Sequence, residues 1–439
     1  MQEFKPRKTL LGVLPDDDVL SQCIHCGMCL ATCPTYDLTK LERSSPRGRI
    51  QLIKAVARGE MDLSKIFAEE MNFCLDCQAC ETACPAGVKY GLMVEAARVE
   101  VDNSDHISPV ARAIKKFALK VVVGSKRNLK IFSRLLYFYQ NWGLKKILHT
   151  TGIINIFGKN LAEIDNLAPK VSRKFSDSFL PEHYQPKSET KYKTAMLTGC
   201  LMNVMFADVN KDTHELLQKI GCKIYTPKDQ VCCGSLHAHN GDFETAHKLA
   251  KQLIDVFSRE EYDYLISNSA GCGAFMKEYA HIFKNDTQYA ERAKNLSSKV
   301  KDITEFLSEE NPELIYKTIE QTATYHDACH LAHTQKIVGQ PREVLNRVPG
   351  LKMIPLEEST WCCGSAGTYN IIQHETSMKI LNRKMENIRN TGASTVITGN
   401  PGCIRQIEYG AERFNVRAEV VHPATLLNRI VKWKETKYV

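Results

Sequence analysis

Sixteen of the 17 cysteines in this 439-residue chain fall into spaced patterns, and the chemistry lies in those patterns. Cys23, Cys26, Cys29 and Cys33 are followed by Pro34, and the same spacing returns 51 residues on at Cys74, Cys77, Cys80, Cys84 and Pro85. Thiols with two residues between them can wrap one tight turn of backbone around the corner of an inorganic core, leaving amides free to hydrogen-bond its sulfurs. The proline stops that turn and redirects the chain. A structural zinc site would need C-x2-C with a distant partner pair, which two consecutive runs of four fit poorly.

The C-x2-C-x2-C-x3-C-P run is the bacterial ferredoxin spacing for a 4Fe–4S cluster, in which the fourth cysteine of each run ligates the other cluster. This predicts one cluster on Cys23, Cys26, Cys29 and Cys84, and a second on Cys33, Cys74, Cys77 and Cys80.

Eight further cysteines recur in register. Cys200 maps to Cys329 at 129 residues, Cys232 and Cys233 to Cys362 and Cys363 at 130, and Cys272 to Cys403 at 131. The surrounding text repeats as well, VCCGSLHAHN against WCCGSAGTYN and SNSAGCGAF against TGNPGCIRQ, so two copies of one module stand in tandem. Each copy should place its cysteines at strand C-termini or in the turns after them, where open α/β sheets gather their sites. Neighbouring glycines would let backbone approach the inorganic core closely. Cys200, Cys232, Cys233 and Cys272 form the first set and Cys329, Cys362, Cys363 and Cys403 the second. They would hold one or two further iron–sulfur clusters, with one per module and a shared arrangement both open. Cys222 stands outside the patterns and is read as a small buried hydrophobe. His237, His239, His326, His330 and His333 flank the cysteines. They could move protons or ligate metal in place of a cysteine, but most are read as helix-start and surface residues.

The elements that must position these thiols follow from periodicity. A polar lead-in with a short helix spans residues 1 to 22. Ile50, Ile53 and Ala57, then Ile66 and Met71, mark two helical faces between the runs, with Arg58-Gly59 ending the first. Arg47 and Arg49 could steady cluster charge or pair with acidic neighbours, the second being preferred. From residue 191 strands and helices alternate: TAMLTGC as a strand, a helix from Asp208 to Ile220, a strand at KIYTP, a helix from Phe243 to Phe257 and the strand YDYLISNS, the pattern of a parallel sheet. The reading is α+β and multidomain: an N-terminal helical ferredoxin-type domain with two 4Fe–4S clusters (1–106), a basic amphipathic helical linker (107–190), and tandem α/β modules (191–320 and 321–439).

Basic charge is concentrated in residues 107 to 180, with 14 Lys or Arg against 3 Asp or Glu, while the whole chain carries only +8. Val110, Ile114, Phe117, Ala118 and Val121 form one apolar stripe, and Phe132, Leu135, Leu136 and Tyr139 a second. Such helices pack on the chain's own domains, dock an acidic partner or lie on anionic lipid, with the first reading preferred. No nucleic-acid-binding module accompanies the charge. The polar start MQEFKPRKTL, the cysteine usage and the lack of an 18-residue apolar run place the chain in the cytoplasm, with any contact to the inner face of the cell membrane peripheral.

Two ferredoxin runs followed by two C…CCG…C modules resemble the iron–sulfur subunit of bacterial glycolate oxidase and its relatives, the electron-transfer subunits of anaerobic glycerol-3-phosphate dehydrogenase and of lactate-utilisation systems. SPRGRIQLIK, CPAGVKYG, AGCGAFMKEY and CCGSAGTY carry the likeness. The resemblance implies a FAD-containing partner subunit that oxidises glycolate or lactate, and this chain as the relay to a quinone, an electron-transfer flavoprotein or another carrier. No dinucleotide fingerprint suggests a flavin or nicotinamide of its own. The modules also resemble the catalytic subunit of heterodisulfide reductase, which implies an alternative: disulfide reduction at a module cluster. That family ends its motif in C-x2-C, whereas Cys272 is followed by Gly273, Ala274 and Phe275, and Cys403 by Ile404, Arg405 and Gln406. A third alternative makes the modules a cluster-free docking platform.

Overall fold

Short capped helices build the N-terminal domain around its cysteines. The computed structural model describes residues 17–157, 160–187 and 189–433; most of the lead-in read over residues 1 to 22 lies outside them, and its helix is Asp17–Ser21. Ser45 caps helix Pro46–Ala57 by accepting from the Gly48 N–H, and Pro46 occupies the first turn, where its missing donor costs nothing. Gly59, at φ +69°, follows the helix end as expected. Ser64 caps Lys65–Phe73 in the same way. On that helix Phe67 and Met71 are buried, but Ile66 is 54% exposed, so the buried face is turned one residue from the predicted one. These helices and Tyr90–Asn103 enclose Ile53, Met71, Met93 and Val94, each buried apolar side chain contributing about 1.5–3 kcal/mol.

The modules are two parallel sheets with the same strand order. β1 (His183–Tyr184), β2 (Tyr192–Met196), β3 (Cys222–Tyr225), β4 (Tyr264–Ser267) and β5 (Val300–Asp302) lie in the order β1-β3-β2-β4-β5, with only β1 antiparallel. β6 (Gln321–Tyr325), β7 (Leu351–Met353), β8 (Thr395–Ile397) and β9 (Glu419–Val421) lie in the order β7-β6-β8-β9. Removing the extra edge strand β1 leaves β3-β2-β4-β5 as the counterpart of the second sheet, so the repeat in the text is a repeat in topology. The first strand ends at Met196 rather than at Cys200, while helix Phe243–Phe257 matches its expected limits. Met196, Ile266, Ile303, Phe306, Tyr325, Val344, Ile397 and Leu427 belong to one continuous core, which fuses the two modules back to back.

Between the two halves run helix Pro109–Lys116, a π-helical stretch Phe117–Val123, and helices Lys126–Asn141 and Leu144–Thr150. Here the expectation that the helices pack on the chain's own domains holds for one face only. Most residues of the two predicted stripes point outward, with Val110 69%, Ile114 64% and Leu135 58% exposed, and Trp142 beyond them is 76% exposed. Leu136 of the second stripe, together with Leu129, Val122 and Tyr137 from outside both stripes, packs inward against Val171, Phe175 and Val204. Among the described residues no helix is long and apolar enough to cross a membrane.

Candidate iron–sulfur centres

The two ferredoxin runs share one backbone trace. His25, Gly27, Asp76 and Gln78 all adopt positive φ (55°, 87°, 54° and 57°), the second pair standing 51 residues after the first. This alternation turns successive amides toward the concave side of each loop, a geometry that collects negative charge, and the Asp76 N–H donates to Cys74 Sγ at 3.3 Å. One concavity is lined by Cys23, Cys26, Cys29 and Cys84, and its neighbour by Cys33, Cys74 and Cys77; Cys80, Pro46 and Tyr90 border both. Three consecutive thiols from one run thus meet the fourth of the other. The Tyr90 hydroxyl donates to Cys74 Sγ at 3.4 Å. Arg49, fully buried, donates from Nε to the Glu70 carbonyl at 2.9 Å and from Nη1 to Thr35 Oγ1 at 3.0 Å, and its charge acts on Cys33 and Cys74. Arg47 pairs with Glu42 at 2.6 Å. Both arginines therefore have the polar partners preferred from the sequence, and Arg49 faces a thiol pocket as well.

Each module collects its own four thiols. Cys200 contacts Cys232, which contacts Cys233, which contacts Cys272. In the second module Cys329, Cys362, Cys363 and Cys403 form the corresponding chain, with Cys363 and Cys403 sulfurs 3.4 Å apart. Cys200 and Cys329 follow the central strands β2 and β6. Cys272 and Cys403 lie in the first turns of helices Ala270–Lys277 and Pro401–Arg413 rather than in turns before them, where the helix dipole favours a thiolate. Gly234 and Gly364 have φ of +95° and +89°, and their N–H groups donate to Cys232 and Cys362 at 3.4 Å. A Cβ on Gly364 would lie 2.7 Å from the Ser377 carbonyl, so turn conformation and helix packing both demand glycine there. Cys222 is fully buried in the core between strands and helices, as expected of a hydrophobe.

The thiol sets converge on the middle of the molecule. Cys77 packs against Leu75, Cys362, Tyr369 and Ile380, close enough to Cys329 and Cys362 for their charges to act on one another. The helix start bearing Cys272 meets the turn before Cys403, with the Ala270 N–H donating to the Gly399 carbonyl at 3.2 Å and the Gly271 N–H to Asn400 Oδ1 at 3.4 Å.

The flanking histidines are not surface residues, contrary to the reading preferred for most of them. His237, His326 and His333 are buried, and His239 and His330 lie at the seam between the ferredoxin domain and the modules. His239 Nδ1 stands 2.6 Å from Glu95 and 3.2 Å from Asp76; burial works against its charge, but the two carboxylates raise its pKa to about 10. His330 Nε2 meets the Asp76 carbonyl at 3.1 Å, and His333 Nδ1 meets Thr82 Oγ1 at 3.0 Å. Arg98 donates to the Cys74 carbonyl at 2.5 Å and to the His239 carbonyl at 2.8 Å, bridging the same seam. Arg98, Asp76, Glu95 and Tyr90 were missed in the sequence because their roles exist only across this interface; the one signal was two acids and a histidine with no helix-surface partner.

The donor sets fit iron–sulfur cores. Burial and neighbouring sulfurs push the Cys77, Cys80 and Cys363 thiols well above their ordinary range, the cost of packing several thiolates without a cation between them. No disulfide relieves that crowding among the described residues. A thiolate-bridging metal core would, and backbone N–H donors already aim at Cys74, Cys232 and Cys362.

A helical domain with two four-cysteine runs, docked on a pair of α/β modules that each gather four thiols, defines an iron–sulfur protein of modular type. Residues 19–88 match the 4Fe-4S dicluster domain, residues 194–277 and 323–408 the cysteine-rich CCG domain, and residues 110–168 the linker region of the glycolate oxidase iron-sulfur subunit. The chain is 36% identical over 430 residues to a probable glycolate oxidase iron-sulfur subunit of Bacillus subtilis, covering 97% of this chain and 95% of that one. It is 30% identical to the glycolate oxidase iron-sulfur subunit of Escherichia coli over 94% of its own length and 95% of the relative's. Lactate utilization protein A of Bacillus licheniformis matches 54% of this chain and 99% of its own length at 31% identity. The chain belongs to the glycolate oxidase iron–sulfur subunit family.

Proposed function

We propose that this chain is the electron-transfer subunit of a 2-hydroxy acid dehydrogenase complex, relaying electrons from a FAD-containing subunit that oxidises glycolate or lactate to a quinone or electron-transfer flavoprotein. The relatives named glycolate oxidase iron-sulfur subunit and lactate utilization protein A support the substrate class. The observation that carries the relay is the packing of Cys77 against the cluster of Leu75, Cys362, Tyr369 and Ile380, which brings a ferredoxin-run thiol against a thiol of the second module. Cys23, Cys26, Cys29 and Cys84 would hold one 4Fe–4S cluster and Cys33, Cys74, Cys77 and Cys80 the other. The two module quartets would hold one centre each, a division their separate thiol chains support. Bound clusters supply reversible one-electron storage, and the protein sets distances, potentials and docking.

Residues around the sites perform that setting. Tyr90 and the Asp76 amide hydrogen-bond Cys74, Arg49 places a positive charge beside it, and Leu75, Trp361 and Tyr369 keep water from the junction with the second module. At the opposite end Cys26 is exposed between Ile24 (71% exposed) and Met28 (60%), an apolar rim suited to docking the flavin subunit. The flavin-free chain should show no 2-hydroxy acid oxidation, and adding the flavoprotein subunit should restore transfer to a quinone analogue. Turnover of glycolate or lactate by the flavin-free chain contradicts the proposal.

The exposed apolar and basic linker supports peripheral attachment at the inner face of the cell membrane, since Val110, Ile114, Leu135 and Trp142 stand outward among lysines and arginines. The chain should co-sediment with vesicles containing anionic phospholipid, and Leu135→Glu with Trp142→Glu should lower the bound fraction at least about tenfold. Equal sedimentation of the double variant would remove the membrane contact.

A further inference from the structure

The two modules share a backbone but not the chemistry of one position. β2 and β6 are the central strands, and the first residue beyond each pairs identically: the Leu197 N–H donates to the Ile266 carbonyl at 3.0 Å, and the His326 N–H to the Ile397 carbonyl at 2.9 Å. The position lies at the carboxyl edge of the sheet, three residues before Cys200 or Cys329, where such sheets hold ligands. In the first module it carries an alkyl group. In the second it carries an imidazole.

That imidazole is set among thiols. His326 is 1% exposed, and one of its ring nitrogens lies within 4.8 Å of both the Cys363 and Cys403 sulfurs, which lie equally close to each other. Neither ring nitrogen makes a hydrogen bond, although the Ser359 carbonyl lies near enough to polarise the ring. A buried imidazole with two idle nitrogens is costly unless something else engages them. A metal-bound histidine uses one nitrogen for the metal and typically turns its other N–H to a backbone carbonyl, the place Ser359 occupies.

A second asymmetry lies beside it. Gly364 packs on Ser377 as Gly234 packs on Ala246, and seven residues further along each helix the second module has Lys384 where the first has Leu253. Lys384 is fully buried, donates to the Glu358 carbonyl, and its charge faces Cys362 and Cys363. With four thiols in each set, Lys384 makes the surroundings of the second set the more cationic at this position.

We infer that His326 is a metal ligand of the second module, giving its centre mixed thiolate–imidazole coordination through a position that the first module fills with Leu197. The inference rests on the reading that the second module holds an iron–sulfur centre. A neutral imidazole on a cluster iron brings less negative charge than a thiolate would at the same place and so sets a higher potential, as histidine ligation does in other iron–sulfur centres. The second module, in contact with the ferredoxin half through Cys77, then holds a centre of higher potential than a thiolate at the His326 position would give, which favours electron flow across that junction.

The test is pulsed EPR on the full chain labelled with 15N-histidine, in the oxidation state where the module centre is paramagnetic, with iron counted on the same sample. Expected is a histidine-nitrogen coupling in the wild-type protein that disappears in His326→Leu, which copies the first module, and in His326→Cys. The cysteine variant should keep its iron and show a lower midpoint potential for that centre. A loaded second module without histidine-nitrogen coupling, or a coupling that survives both substitutions, overturns the inference. Unchanged iron in Cys362→Ser would instead mean that no centre resides there, and the underlying reading falls together with the inference. Because the labelled wild-type protein alone must show the coupling, misfolding of a variant does not protect the claim.

Discussion

Cys362→Ser should leave both ferredoxin-type sites filled and reducible while electron delivery from the flavin subunit to an external acceptor falls by at least about 100-fold, since outer-shell changes at metal sites already cost 10–100-fold. Cys362 touches Cys329 and Cys363 within its own module and packs with Leu75 and Cys77 of the second ferredoxin run. It is the thiol shared by the module's site and the junction between halves. The ferredoxin runs draw every one of their own thiols from residues 23 to 84, so the loss should be confined to the far side of the junction. Steady-state acceptor reduction by the assembled complex, with EPR of the reduced subunit, separates the two effects. Full acceptor reduction in this variant would mean that electrons leave from the ferredoxin half directly.

Arg49→Leu should destabilise the N-terminal domain by about 3–5 kcal/mol, the usual cost of removing one partner from a buried ion pair. Glu70, 7% exposed, would keep Arg43 at 2.9 Å and the Ser44 hydroxyl but lose its fully buried partner, whose Nη2 lies 3.5 Å from it. The Glu70 carbonyl and Thr35 Oγ1 would lose their donor as well. The cluster read onto Cys33, Cys74, Cys77 and Cys80 should be lost first or move to lower potential, because the removed charge faces Cys33 and Cys74. Arg47→Ala, which removes a pair with the half-exposed Glu42 carboxylate and a donor to the His25 carbonyl, should destabilise the domain far less than Arg49→Leu. Anaerobic denaturant unfolding of the two variants measures the contrast, and equal stability would contradict the role given to Arg49.

What could be read from the text is what depends on local spacing. The left-handed residues His25, Gly27, Asp76 and Gln78 repeat because the cysteines around them repeat, and the two sheets share an order because the module cysteines recur in register. Helix Phe243–Phe257 was legible to the residue because Asp242 caps it and its apolar face is regular. The strand before Cys200 was overextended because LTG continues an apolar run, whereas the chain leaves the sheet at Met196 and turns at Gly199, φ +64°. The outward linker stripe was illegible for a different reason. Periodicity finds an apolar face but not what covers it, and a second face built on Leu129 and Tyr137 serves the interior instead. The histidines failed likewise: His239, His330 and His333 have partners more than 100 residues away, and only the docking of two domains brings those partners within reach.

The most direct test of the relay is iron and acid-labile sulfide per chain on anaerobically purified protein, with EPR of the reduced sample. Four thiol sets of one cubane each predict about sixteen irons and interacting paramagnetic centres in both halves. About eight irons, with only ferredoxin-type signals, would contradict the account, because the modules would then hold no iron–sulfur centre through which electrons could pass.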